Sequence, residues 1–166
     1  MEKPNEKGQC WLDPVSVTPR VGSIYPAPFG APLAGREKRA LGDALKLRQF
    51  GVDLVTLAPG SWSSQRHWHA KEDEFIYVLQ GEVTLVTNAG QKTLTAGMAA
   101  GFPAGKADGH HLINQRDKPA LYLEAGTRAV SEEAHYEEAH YSDIDMIARK
   151  EGGRFVFTHK NGNPYP

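Results

Sequence analysis

The sequence predicts an all-β domain, an antiparallel barrel or jelly roll. The chain has 166 residues, enough for one domain with a core to bury. Its 17 glycines and 11 prolines exceed average usage and fall at short intervals. That punctuation suits short strands and tight turns better than helices. Between residues 50 and 126 at least seven runs of β-forming residues alternate with turn chemistry.

Residues 1–49 form an N-terminal arm and lead-in. Val15-Ser16-Val17 predicts a short strand, and Pro26, Pro28 and Pro32 mark an extended arm wrapping the body or a partner subunit. Leu41 to Leu47, interrupted by Gly42-Asp43, reads as irregular. Residues 50–126 are the barrel core. Phe50 to Ala58 stops at Pro59-Gly60, and Glu74 to Leu79 turns at Gln80-Gly81 into Glu82 to Thr87. Asn88-Ala89-Gly90 is a hairpin turn, and Gly97 splits Lys92–Thr95 from Met98–Phe102. Pro103-Ala104-Gly105 turns again before His110–Asn114 and Ala120–Ala125. Residues 127–166 form a C-terminal extension packing on the barrel. It carries a tandem pentapeptide, Glu132-Glu133-Ala134-His135-Tyr136 and Glu137-Glu138-Ala139-His140-Tyr141. Asp143–Lys150 predicts a short helix capped by Ser142 or Asp143, and Phe155–Thr158 a last strand.

The net charge of −1 and pI of about 6.7 leave no basic stripe, so no nucleic-acid partner is expected. Arg36-Glu37-Lys38-Arg39 reads as a solvated loop face. Cys10 is the single cysteine, which excludes an intramolecular disulfide. Met1 to Lys7 lacks the apolar run of a signal peptide, and no stretch has the length of a membrane span. A cytoplasmic protein with no membrane partner is expected.

The chemistry begins at His67-Trp68-His69. Residues two apart on a strand share a face, so both imidazoles point one way and Trp68 the other. Glu74 opens the next strand. Imidazole and carboxylate together suit divalent transition metals. A His-x-His pair alone often sits on an exposed strand and binds nothing. Here it lies in a longer frame. Gly60, six residues, His67-x-His69, four residues, Glu74, six residues and Gly81 follow one another. Then Gly97, five residues, Pro103-x-Gly105 is followed, after four residues, by His110 and, three residues on, Asn114.

These two stretches resemble the two motifs of the cupin superfamily, with one extra residue before His67 and two extra before His110. The resemblance covers roughly residues 50–126 and implies a cupin double-stranded β-helix, a jelly-roll barrel. Beyond the motifs, Gly101-Phe102-Pro103-Ala104-Gly105, Gly109 to Asn114 and His140-Tyr141-x-Asp143 resemble a subgroup of small bacterial cupin-domain proteins. The resemblance implies one divalent transition metal (Zn, Fe, Mn or Ni) held by His67, His69, Glu74 and His110. The family spacing selects His110 over His111, and Glu74 over Glu72 and Asp73. An octahedral ion would keep two places open for a small-molecule ligand. Zinc could instead close tetrahedrally and be structural.

Three functions follow for such a barrel. One is a metal-dependent enzyme of oxygenase, isomerase or lyase type, acting on a small, carboxylate-bearing or hydroxy-carbonyl molecule, with Glu74 as base. The second is a non-catalytic binder with a structural metal. The third, storage, is opposed by chain length and a single barrel. Trp62, Phe75, Tyr77 and Phe102 line a pocket or fill the core. Arg66 and Lys106 hold an anion or are plain loop cations. His135 and His140 belong to a surface duplication or a second metal site. A homodimer is expected, with the arm contributing to its interface.

Overall fold

The structure, a computed structural model, describes residues 10–128, 138–151 and 154–165. Thirteen strands appear among these residues. They are β1 (Arg20–Val21), β2 (Arg36–Ala40), β3 (Phe50–Leu57), β4 (His67–His69), β5 (Glu74–Gln80), β6 (Glu82–Thr87), β7 (Gly90–Thr95), β8 (Ala99–Phe102), β9 (His111–Ile113), β10 (Ala120–Thr127), β11 (Glu138–Tyr141), β12 (Ile147–Glu151) and β13 (Arg154–Thr158). One short helix, α1 (Leu41–Ala44), links β2 to β3. The all-β jelly roll expected from sequence is what forms.

Three antiparallel sheets enclose the interior. The largest runs β1-β2-β3-β10-β5-β8, a second β13-β12-β11-β4, and a third β7-β6-β9. The core between them is aliphatic, with Val55, Leu57, Ile76, Val78, Val83 and Leu112 buried. Alternation explains it: in β3 and β5 every second residue turns inward, and Val55, Leu57, Ile76 and Val78 are the apolar members of that set.

Directly paired residues share a sheet face, so the register gives the inner surface of the largest sheet. Arg20, Lys38, Val55, Tyr122 and Val78 form one row across β1, β2, β3, β10 and β5. Asp53, Glu124, Ile76 and Ala100 form the next. Glu74 and Phe102 pair one step beyond. An apolar wall thus grades into a charged one toward Glu74.

Four local expectations are corrected. Val15-Ser16-Val17 is not a strand. Pro14–Ser16 makes a 3-10 turn, because Pro14 suits a first turn and the Asp13 carboxylate accepts from Val15 N at 3.0 Å. Asp143–Lys150 is not a helix, since Ile147–Glu151 pairs with both β11 and β13. Those distant partners override a local pattern. Leu41–Leu47 is not wholly irregular, as α1 shows. Arg36–Arg39 is not a loop but the inner part of β2.

The arm does not reach away from the body in its later part. Tyr25 and Phe29 pack on the cluster of Ala139, Tyr141, Met146 and Ala148, and Leu33 is fully buried. The C-terminal strands join the barrel through β11, which pairs with β4 in the register Ala139↔His69, His140↔Trp68 and Tyr141↔His67. The first copy of the pentapeptide, with His135, lies outside the described residues.

Candidate metal centre

His67 and His69 sit on β4, and Glu74 opens β5 after a four-residue loop. His110 just precedes β9 and pairs with His67 through an isolated bridge, His67 N donating to His110 O at 3.2 Å and His110 N to His67 O at 2.8 Å. That bridge brings together two candidate ligands some forty residues apart in sequence. The Nε2 atoms of His67 and His69 are 3.0 Å apart. Glu74 Oε2 lies 3.2 Å from His69 Nε2 and 3.4 Å from His110 Nε2. His67, His69 and Glu74 present their donor atoms within 4.8 Å of one another.

The surroundings orient the rings. His67 Nδ1 is 2.9 Å from Gln65 O, which fixes its proton there and leaves the Nε2 lone pair facing inward. The His110 ring lies flat on Phe102, 3.5 Å between centroids and 1° between planes. Its two nitrogens are buried and make no hydrogen bond. Buried polar atoms without partners are costly. His110 Nε2 faces the same Glu74 oxygen as His69 Nε2, just outside the tight His67, His69 and Glu74 cluster, and a divalent metal ion there would supply its missing partner.

Electrostatics agree. Burial, reinforced by His69 and His110, pushes His67 down to about 3, so it stays neutral and able to ligate at ordinary pH. Burial opposes ionisation of Glu74, but contacts with His110 and His69 outweigh it and hold the carboxyl well below its usual range. A pH dependence follows. In unfolded chain His67 titrates near its ordinary value of about 6.5. Metal-free protein therefore has the full stability from this group above about pH 6.5, and loses it as pH falls toward 3. Glu74 works in the same direction at lower pH. Chelator-treated protein melted from pH 7 to pH 4 should show a steadily falling midpoint. A midpoint that stays flat or rises would contradict the buried neutral imidazole.

The other residues singled out from sequence divide. Phe102 lines the cavity and stacks on His110. Phe75 and Tyr77 are neither pocket nor core: they stand exposed on the outer face of β5. Trp62 meets His111 edge-on, with centroids 4.8 Å apart. His111 is buried and held by Ser64 O at 3.1 Å from its Nδ1, away from the carboxylate. Arg66 is engaged by Asp143 at 2.6 and 2.8 Å and by Asn88 at 2.6 Å. Lys106 lines a recess of about 180 Å³ beside Phe102 and Asp108. His140 stacks on Trp68 at 4.4 Å and pairs with Glu138. Gly109 is required by close approach, since a Cβ there would lie 2.0 Å from Ser142 Oγ.

Sequence reasoning missed the wall opposite the ligands. A cavity of about 160 Å³ is bounded by the ligand set and by Arg20, Arg36, Lys38, Tyr122 and Glu124. A second, of about 380 Å³, adjoins it and shares Arg20, Lys38, His69, Glu74, Glu124 and Phe155. Lys38 bridges Asp53 at 2.8 Å and Glu124 at 2.5 Å. Burial would lower its pKa, but these carboxylates raise it above the usual lysine value. Tyr122 is fully buried. Its hydroxyl reaches toward Ser63 without closing a hydrogen bond, and Ser63 Oγ already accepts from Leu112 N at 2.9 Å.

Comparison with known proteins agrees with this architecture. The family described as "Cupin domain" matches residues 53–126. A cupin sugar phosphate isomerase from Silicibacter pomeroyi is 43% identical, with 94% of this chain and 96% of that one covered and a TM-score of 0.87. A candidate sugar phosphate isomerase from Acidithiobacillus ferrooxidans is 27% identical over 79% of this chain and 80% of its own, with a TM-score of 0.67. No curated protein matches the chain. Among the described residues no helix is long and apolar enough to cross a membrane. With the jelly roll, both spaced motifs and near-complete coverage of a 43%-identical relative, the chain belongs to the cupin superfamily.

Proposed function

We propose that this protein is a metal-dependent isomerase of a phosphorylated sugar, with His67, His69, Glu74 and His110 as metal ligands. The observation that carries this is the 43% identity to the Silicibacter pomeroyi sugar phosphate isomerase across 94% of the chain. The cavity supports it, because unpartnered polar atoms of His110 and Tyr122 border one enclosed space. A divalent ion there would polarise the sugar carbonyl and acidify the adjacent C–H.

Interconverting an aldose and a ketose moves one proton between neighbouring carbons and another between their oxygens. No oxidant is needed. Glu74, the base expected from sequence, would have to leave the ligand set to act. Glu124 lies on the same inner face, one strand over and one inward position away, and its partner Lys38 keeps it in place. We assign the carbon-bound proton to Glu124. The Tyr122 hydroxyl donates to a sugar oxygen, which supplies the partner it lacks in the folded chain.

The test is incubation of metal-loaded protein with aldose phosphates of three to seven carbons in D₂O, followed by NMR. Conversion to the ketose with deuterium incorporated from solvent at the carbon that exchanges its proton supports the assignment. Glu124→Gln should lose turnover at least ~100-fold while keeping its metal. Absence of both conversion and exchange across the series would leave the binder with a structural metal as the better reading.

A further inference from the structure

The largest sheet carries more positive charge on its inner face than its carboxylates offset, once a metal is counted. Arg20, Lys38 and Arg36 project to the same side, since Arg20 pairs with Lys38 and Arg36 lies two residues along the same strand. Lys38 is spent on Asp53 and Glu124. The other two are not neutralised.

Arg36 Nε and Nη2 donate to Gly22 O at 3.2 and 2.9 Å, and Nη1 to Ser63 O at 2.5 Å. Both acceptors are backbone carbonyls, so its charge stays uncompensated. A guanidinium has five N–H groups, and two of its five remain. Arg20 has no carboxylate partner among the described residues and lines both adjoining cavities. In the first cavity Arg20, Arg36 and Lys38 exceed Glu74 and Glu124 by one positive charge, and a divalent ion would raise that to three, whereas Asp43, Asp53, Glu72 and Asp73 make the second cavity the more acidic of the two. A phosphate monoester carries roughly −1.5 to −2 near neutral pH.

We infer that Arg20 and Arg36 form the seat for a phosphate dianion in the first cavity, with the reacting end of the ligand directed at Glu74, His69 and His110. This rests on the isomerase reading for the identity of the ligand, and on the charge arrangement for the place. Planar guanidinium forks match phosphate oxygens two at a time, and such charge-assisted bonds are about twice as strong as neutral ones. Arg36 is fixed by three hydrogen bonds to two carbonyls and serves as a rigid wall. Arg20 is exposed and closes on the ligand from the cavity mouth.

The competing seat is Lys106, the loop cation expected from sequence. It too makes no ion pair among the described residues, but it is the single lysine or arginine lining its recess, where Asp108 cancels its charge. Arg66 is already saturated by Asp143 and Asn88.

The experiment is calorimetric titration of metal-loaded and metal-stripped protein with a pentose 5-phosphate, with the same pentose unphosphorylated, and with inorganic phosphate. Wild type should prefer the phosphorylated sugar by ~10–100-fold, and metal-stripped protein should still bind inorganic phosphate. Arg20→Ala should collapse the preference to within ~3-fold and abolish phosphate binding by the stripped protein, with metal content unchanged. Arg20→Lys should restore part of it. A preference that survives Arg20→Ala, or is lost instead in Lys106→Ala, overturns the seat and leaves the isomerase reading standing. A wild type that binds both pentoses equally overturns the phosphosugar reading itself.

Discussion

Replacing His110 by alanine is expected to weaken metal binding by more than ~100-fold, while His111→Ala leaves it within ~3-fold. Partners that merely orient a metal ligand are worth 10–100-fold, and a direct ligand exceeds them. His110 Nε2 lies 3.4 Å from Glu74 Oε2 without closing a hydrogen bond, so that carboxylate only partly offsets its burial. His111 turns its ring to Ser64 and Trp62. Its loss leaves a small cavity beside Trp62 and lowers stability without touching the ligand set. Elemental analysis of the two variants, purified in parallel, decides it. Full metal in His110→Ala with loss in His111→Ala would reverse the assignment.

Lys38→Met is expected to destabilise the fold by ~3 kcal/mol, near the low end for a broken buried ion pair because the groups keep some water. Lys38 and its partners Asp53 and Glu124 are about one fifth exposed, at 19%, 18% and 22%. Removing the ammonium leaves two carboxylates facing each other across β3 and β10. A chain of this length should lose roughly 6–12 °C of melting temperature. The triple variant Lys38→Met, Asp53→Asn, Glu124→Gln should recover most of the loss, since a neutral set needs no counter-charge. Urea denaturation with chelator present separates this effect from metal binding. A single variant within ~0.5 kcal/mol of wild type would show the triad to be solvated.

The ligand strand and the turns were legible because their signals are local. His67-x-His69 declares a shared face by alternation alone, and Gly81 or Asn88-Ala89-Gly90 mark their own turns. His110 was legible only through the spacing of a known motif, as nothing in its neighbours distinguishes it from His111. Lys38, Asp53 and Glu124 were within reach. Asp53 interrupts the apolar run Gly51 to Leu57, and Glu124 the run Ala120 to Ala125, each at an inward position of the alternation. What the sequence withholds is that the two interruptions are paired neighbours across β3 and β10, a fact that belongs to the register. The strand at Ile147–Glu151 was hidden for the same reason, because its partners lie outside its own stretch of chain.

The stacking of Phe102 on His110 has a kinetic consequence. An imidazole held flat against a ring at 3.5 Å, with its backbone tied to His67, cannot swing far when its ligand partner departs. His67 is likewise tethered by Gln65. The chain itself therefore holds these imidazoles close to the positions a metal ion would need. Exchange of one ion for another should then be limited by the breaking of its bonds to these residues and not by reordering of the strands. A set held this firmly would favour ions whose preferred bond lengths and geometry it already matches.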